Sequence, residues 1–173
     1  MSYKDHKQYR IPGYNYSEEG NYFVTICTHN REKYFGKIIN GNMILSEIGI
    51  IVDKIWNEIT IKFDNIALEV YQIMPDHFHG IIKTDKHRNF INEIPTFNSK
   101  IKNNPMELKT DSLGRIIRWF KGRVKFEASK IIPGFKWQSR FYDRIIRNEK
   151  EFNYISEYIR TNPQTWGTNK HPF

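Results

Sequence analysis

The chain has one cysteine in 173 residues, Cys27, which excludes an internal disulfide framework and a cysteine-rich zinc site. It has no uninterrupted apolar run near the ~18 residues that a membrane-spanning helix needs. Its opening residues, MSYKDHKQYR, contain no apolar signal segment. Internal repeats and low-complexity tracts are missing as well. What remains is sized for a single domain, 1–173, with 39% hydrophobic and 15% aromatic residues. That is enough to build one core and to exclude wholesale disorder. The expectation is a soluble, cytoplasmic protein without a membrane partner.

Acidic residues are scarce in one place only. Residues 113–150 hold 11 basic and three acidic side chains, and so the whole net charge of +8, while the segments on either side are neutral. A polyanion such as nucleic acid would feel that field, because Lys and Arg contacts to phosphate dominate non-specific affinity. A solvated helix face that keeps the protein soluble accounts for the charge equally well.

NYFVTICT (21–28) alternates and is rich in β-branched and aromatic residues, which predicts a strand. Asn40-Gly41 predicts a two-residue hairpin turn. Ser46 then caps a helix with Ile48, Ile51, Val52, Ile55, Trp56 and Ile59 at helical spacing. Residues 66–74 and 77–83 read as strands joined at Pro75-Asp76. Residues 84–110 show no sustained period and read as a long loop or insertion. Asp111 and Ser112 are expected to cap a basic helix to about Lys130, with Leu113, Ile116, Ile117, Phe120 and Val124 on its buried side. A strand follows at 141–146. A last helix, capped by Asn148 with Glu151 three residues on, must stop near Asn162 because Pro163 follows. The order βαββαβ plus a C-terminal helix predicts an α+β, ferredoxin-like antiparallel sheet with helices on one face.

His77-Phe78-His79 opens the third main strand. Side chains at i and i+2 share a face, so both imidazoles can converge on one object, a metal ion among them. Taken alone, such a pair is more often two hydrogen-bonded surface histidines. On the last helix, Tyr154, Tyr158 and Asn162 form one stripe at a spacing of four. In one reading the tyrosines are boundary residues, ring inward and hydroxyl in water. In the other, one tyrosine is a nucleophile and Asn162 a third metal ligand through its amide oxygen. A phenol with a pKa of about 10 is only ~0.1% ionised at pH 7, a deficit of roughly 4 kcal/mol. A divalent cation on the attacked phosphate offsets such a deficit. Two imidazoles and an amide suit Mg²⁺ or Mn²⁺ with open water positions better than a closed zinc site.

The residues carry a family resemblance. MPDHFHGII (74–82) resembles the HUH signature, histidine–hydrophobe–histidine on a strand. WQSRFYDRIIRNEKEFNYISEYIRTNPQTW (137–166) and RIPGYNYSEEGNYFVTICTHNREKYFG (10–36) are similar to the C-terminal and N-terminal blocks of REP-associated tyrosine transposases, a branch of the single-tyrosine HUH transposases. The resemblance implies cutting and rejoining of single-stranded DNA beside hairpin-forming repeats, through a covalent 5′-phosphotyrosine and a free 3′-hydroxyl. In that family's EYI-x-x-NP pattern the nucleophile falls on Tyr158 and the third ligand on Asn162, with His77 and His79 as the paired imidazoles. Tyr154 competes, but its i+4 partner is Tyr158, a poor ligand for a hard cation; Tyr142 has no ligand beside it. Asp76 stands where many relatives have Asn, and its charge either strengthens metal binding or repels phosphate.

Arg115, Arg118, Lys121, Arg123 and Lys125 on the basic helix, with Arg140, Arg144 and Arg147 after it, are the expected phosphate contacts. Trp119, Phe120 and Trp137 are candidate base-stacking platforms. The resemblance further implies nucleoid association when bound to DNA, and a self-contained monomer rather than a two-fold dimer. A non-catalytic nucleic-acid-binding module on the same fold and a water-using phosphodiesterase are the competing readings.

Overall fold

The computed structural model describes residues 19–85 and 112–167. The expected insertion at 84–110 lies outside these residues beyond Asp85, as do Asp111 and the first part of the N-terminal motif block, residues 10–18.

Strand β1 spans Gly20–Cys27 and is followed by a short hairpin of β2 (Gly36–Ile39) and β3 (Asn42–Leu45). Asn40 and Gly41 at its tip have φ of 50° and 75°, the left-handed pair that a tight hairpin turn requires. Helix α1 covers Glu47–Asn57, and the Ser46 hydroxyl accepts the Gly49 amide as its N-cap. The predicted single helix breaks at Glu58, and Ile59–Lys62 forms a separate turn, α2. Strands β4 (Ile66–Ile73) and β5 (His77–Thr84) follow, then α3 (Leu113–Ile131), β6 (Tyr142–Ile146) and α4 (Glu149–Thr161). Ser112 takes the N-cap position of α3, yet its hydroxyl makes no capping bond. Asn148 does cap α4, accepting the Glu151 amide at 2.9 Å. The Glu151 carboxylate reaches back one residue further than expected, to the Arg147 amide.

The main sheet runs β4-β5-β1-β6 with every neighbour antiparallel. With α1 and α3 in the two crossovers, this is the predicted ferredoxin-like α+β arrangement. The strands' two-residue period divides the sheet into two faces. Tyr22, Val24 and Ile26 of β1 with Phe78 and Ile82 of β5 join α1 and α3 in the main core. Phe23, Ile81 and Ile146 meet Ile155 and Ile159 of α4 on the opposite face. Gly80 belongs to the first face, where a Cβ would stand 2.7 Å from the Trp56 ring, so the indole lies directly on the β5 backbone. That seat holds Phe78 and Trp56 with ring centroids 4.4 Å apart and leaves the odd residues of β5 facing α4.

Candidate active site

His77 and His79 are odd residues of the central strand β5, so both lie beneath α4. They are 2% and 4% exposed, buried rather than on the surface. Their Nε2 atoms face each other at 3.0 Å. Each Nδ1 is held by an oxygen: Asp76 Oδ1 at 2.5 Å from His77, and Thr25 Oγ1 at 2.8 Å from His79. Thr25 comes from β1, delivered by the register that pairs it with His79. A carboxylate accepts from the His77 Nδ1–H, which leaves the Nε2 lone pair of that ring pointing into the site.

Helix α4 brings the phenol. Tyr158 Oη lies 3.4 Å from His79 Nε2, and the Tyr158 ring packs edge-on to both His79 and Phe23. Burial pushes the phenol's pKa above its ordinary value, which outweighs a lowering hydrogen bond from the Asn162 side chain and the lowering field of Arg31. The protein's own groups therefore do not ionise this tyrosine near neutrality. Asn162, the C-cap of α4, is 7% exposed. The competitor Tyr154, one turn earlier, is an exposed residue, as is Tyr142.

The spacing of the two imidazole nitrogens is compatible with both meeting one divalent cation. Two nitrogens about 2.1 Å from a common ion at a right angle stand about 3.0 Å apart. Among the described residues no group of three His, Cys, Asp or Glu converges, so a third protein donor must be of another kind. The Asn162 amide beside the phenol is of that kind.

Three contributors escaped the sequence reading. Thr25 is reached only through strand pairing. Trp166 stacks on His77, ring centroids 5.8 Å apart and planes at 27°. It continues the 154–158–162 spacing by one more turn, a signal that Pro163 obscured. Hydrogen bonds from the Gln164 and Thr165 amides to Thr161 keep the chain turning past the proline. Arg31 pairs through Nε with Asp76 Oδ2 at 3.2 Å, so the Asp76 charge is shared between a ring N–H and a guanidinium.

The basic residues do not form one surface. Helix α3 packs on α1, on the face of the sheet away from the histidines. There Arg115 lies over the Phe63 ring at 5.9 Å, and Arg123 sits near Glu58 and Glu127 at 4.0 and 3.8 Å. Lys121 donates to the Gln138 and Arg140 carbonyls at 2.6 and 3.2 Å, and burial lowers its pKa to about 8. Arg144 is paired with Glu151 at 2.7 Å. Arg118, Lys125, Arg140 and Arg147 are exposed and make no side-chain hydrogen bond or salt bridge among the described residues. Phe120 is fully buried in the core. Trp137 packs against Phe35, Phe120 and Phe135 and donates its indole N–H to the Lys121 carbonyl; Trp119 packs edge-on to Phe63.

The sheet and helices together form a transposase-like fold. A solved structure of a REP-associated tyrosine transposase bound to a REP hairpin has the same fold, with a TM-score of 0.63 over 93% of this chain and 74% of the other, at 17% identity. In sequence, an uncharacterized protein of Haemophilus influenzae is 37% identical over 158 residues, 91% of this chain and 87% of that protein. The chain belongs to the family of that Haemophilus protein. No protein-family model matches it.

Proposed function

We propose that the protein is a metal-dependent, transposase-like endonuclease and strand transferase that cuts single-stranded DNA near a hairpin through a covalent 5′-phosphotyrosine. The observation that carries this reading is the Tyr158 hydroxyl 3.4 Å from His79 Nε2, beside a second imidazole nitrogen and an amide. His77, His79 and Asn162 would hold Mg²⁺ or Mn²⁺, and a divalent cation held there would supply Lewis-acid stabilisation of phosphate charge that lowers the cost of forming phenolate.

The chain's own groups supply orientation. Asp76 and Thr25 fix the two rings, and Phe23 supports the Tyr158 ring from below. The phenol oxygen forms a bond to phosphorus as the phosphorus–O3′ bond breaks. The phenol proton leaves to solvent, and the departing 3′ oxygen takes one up. The phosphodiester energy stays in the tyrosine ester, so rejoining needs no nucleotide. In this reading the protein is a self-contained monomer. Arg118, Lys125, Arg140 and Arg147 have free charge for DNA phosphates; Arg115, Lys121, Arg123 and Arg144 act chiefly within the fold.

The test uses the full chain, Mn²⁺ or Mg²⁺, and single-stranded oligonucleotides carrying palindromes from the flanks of its own gene. A denaturing gel reads the protein–DNA adduct. Tyr158→Phe is expected to abolish the adduct and Tyr154→Phe to leave it. Adduct formation by Tyr158→Phe would falsify the assignment, and cleavage without any adduct would show water to be the nucleophile.

A further inference from the structure

Arg31 has no part in the reaction as described, yet it stands one carboxylate away from the His77 ring. It ends a one-turn helix, His29–Arg31, that follows β1. Asn30 and Arg31 have φ of 52° and 57°. The left-handed region costs a non-glycine residue about 1 kcal/mol or more, and it persists where surrounding contacts over-determine the backbone. Here those contacts converge on the guanidinium. Nε pairs with Asp76 Oδ2 at 3.2 Å, and Nη1 donates to Cys27 Sγ at 2.9 Å. Nη2 makes no hydrogen bond among the described residues, and the side chain is 32% exposed.

One carboxylate therefore orients two things at once. Asp76 Oδ1 fixes the His77 ring and Oδ2 fixes the Arg31 fork. Neutralising Asp76 requires only the Nε contact. It does not explain why Nη2 is left without a hydrogen bond among the described residues. A guanidinium held through Nε and Nη1, with Nη2 unbonded, is prearranged for a phosphate oxygen, because little side-chain freedom remains to be lost on binding.

We infer that Arg31 is the anion-binding residue of the site. It grips a non-bridging oxygen of the phosphodiester presented to Tyr158 and, after cleavage, the 5′-phosphate side of the break. The inference rests on the proposed reading for the direction of attack, but its ligand, a strand-terminal phosphate, can be tested without any chemistry.

The experiment is competition binding in the Tyr158→Phe protein, metal present. The probes are two hairpin oligonucleotides whose single-stranded 5′ tail ends in phosphate or in hydroxyl. The 5′-phosphate strand is expected to bind about 10-fold tighter, one charge-assisted contact's worth. Adding Arg31→Gln removes that preference and leaves affinity for the 5′-hydroxyl strand within about twofold. Arg31→Lys keeps a charge beside Asp76 but loses the fork, and retains only part of the preference, so it replaces the Gln variant if that protein does not fold. An unchanged preference in both variants overturns the inference. So does an equal loss on both strands, the result a merely loop-anchoring arginine gives. Failure of the nucleophile reading registers separately, as an adduct formed by Tyr158→Phe.

Discussion

Thr25 shows how much of the site depends on a single hydroxyl. Its oxygen lies 2.8 Å from His79 Nδ1 and can donate to that nitrogen or accept from it. When it accepts, His79 carries its proton on Nδ1 and both Nε2 lone pairs are free for a cation. When it donates, the His79 Nε2–H satisfies His77 Nε2 instead. Thr25→Val keeps the shape and removes the choice. It is expected to weaken Mn²⁺ binding about 10- to 100-fold by isothermal titration, with thermal stability little changed. None of this was legible from local sequence. His77, His79, Tyr158 and Asn162 could be singled out because strand and helix periods put each pair on one face. Thr25, Arg31 and the second use of Asp76 depend on which strand lies beside which, and no local period records that. Both Asp76 oxygens are engaged within the fold, Oδ1 by the His77 ring and Oδ2 by the Arg31 guanidinium.

At the scale of elements, the helices were readable and their placement was not. Leu113, Ile116, Ile117, Phe120 and Val124 do face the core from α3, and Asn148 does start α4. The period of a helix says that a face is buried, not which side of the sheet buries it. The basic block of the sequence is consequently divided between α3 on one side and β6 with the start of α4 at the other. Lys121 illustrates the difference. By sequence it belongs to the charged face; in the fold it ties α3 to the 138–140 segment, with burial lowering its pKa to about 8. The unfolded chain keeps that proton up to about pH 10.4. Between these values the unfolded state binds more protons, so stability gains from Lys121 as pH rises and loses as pH falls through 8. Urea denaturation of the parent and Lys121→Met proteins at pH 7 and pH 9.5 checks the sign. The parent should gain relative to the variant at the higher pH, and an equal difference at both would refute the buried-charge account.

For the whole molecule, free positive charge is thinner than +8 suggests. Arg115, Lys121, Arg123 and Arg144 already have carbonyl, carboxylate or ring partners. Removing Arg118, Arg140 and Arg147 together should flatten the salt dependence of single-strand binding by about 0.7 logarithmic units per lost phosphate contact. The same removal of Arg115, Arg123 and Arg144 should change it less, with fluorescence anisotropy across a salt series as the measure. Strand β5 is where the two halves of the protein meet. Its even positions, Phe78, Gly80 and Ile82, hold α1 and the core, while its odd positions, His77, His79 and Ile81, look only toward α4. A histidine can thus be exchanged from below α4 without disturbing the face that builds the main core, so the architecture and the candidate site are free to change separately.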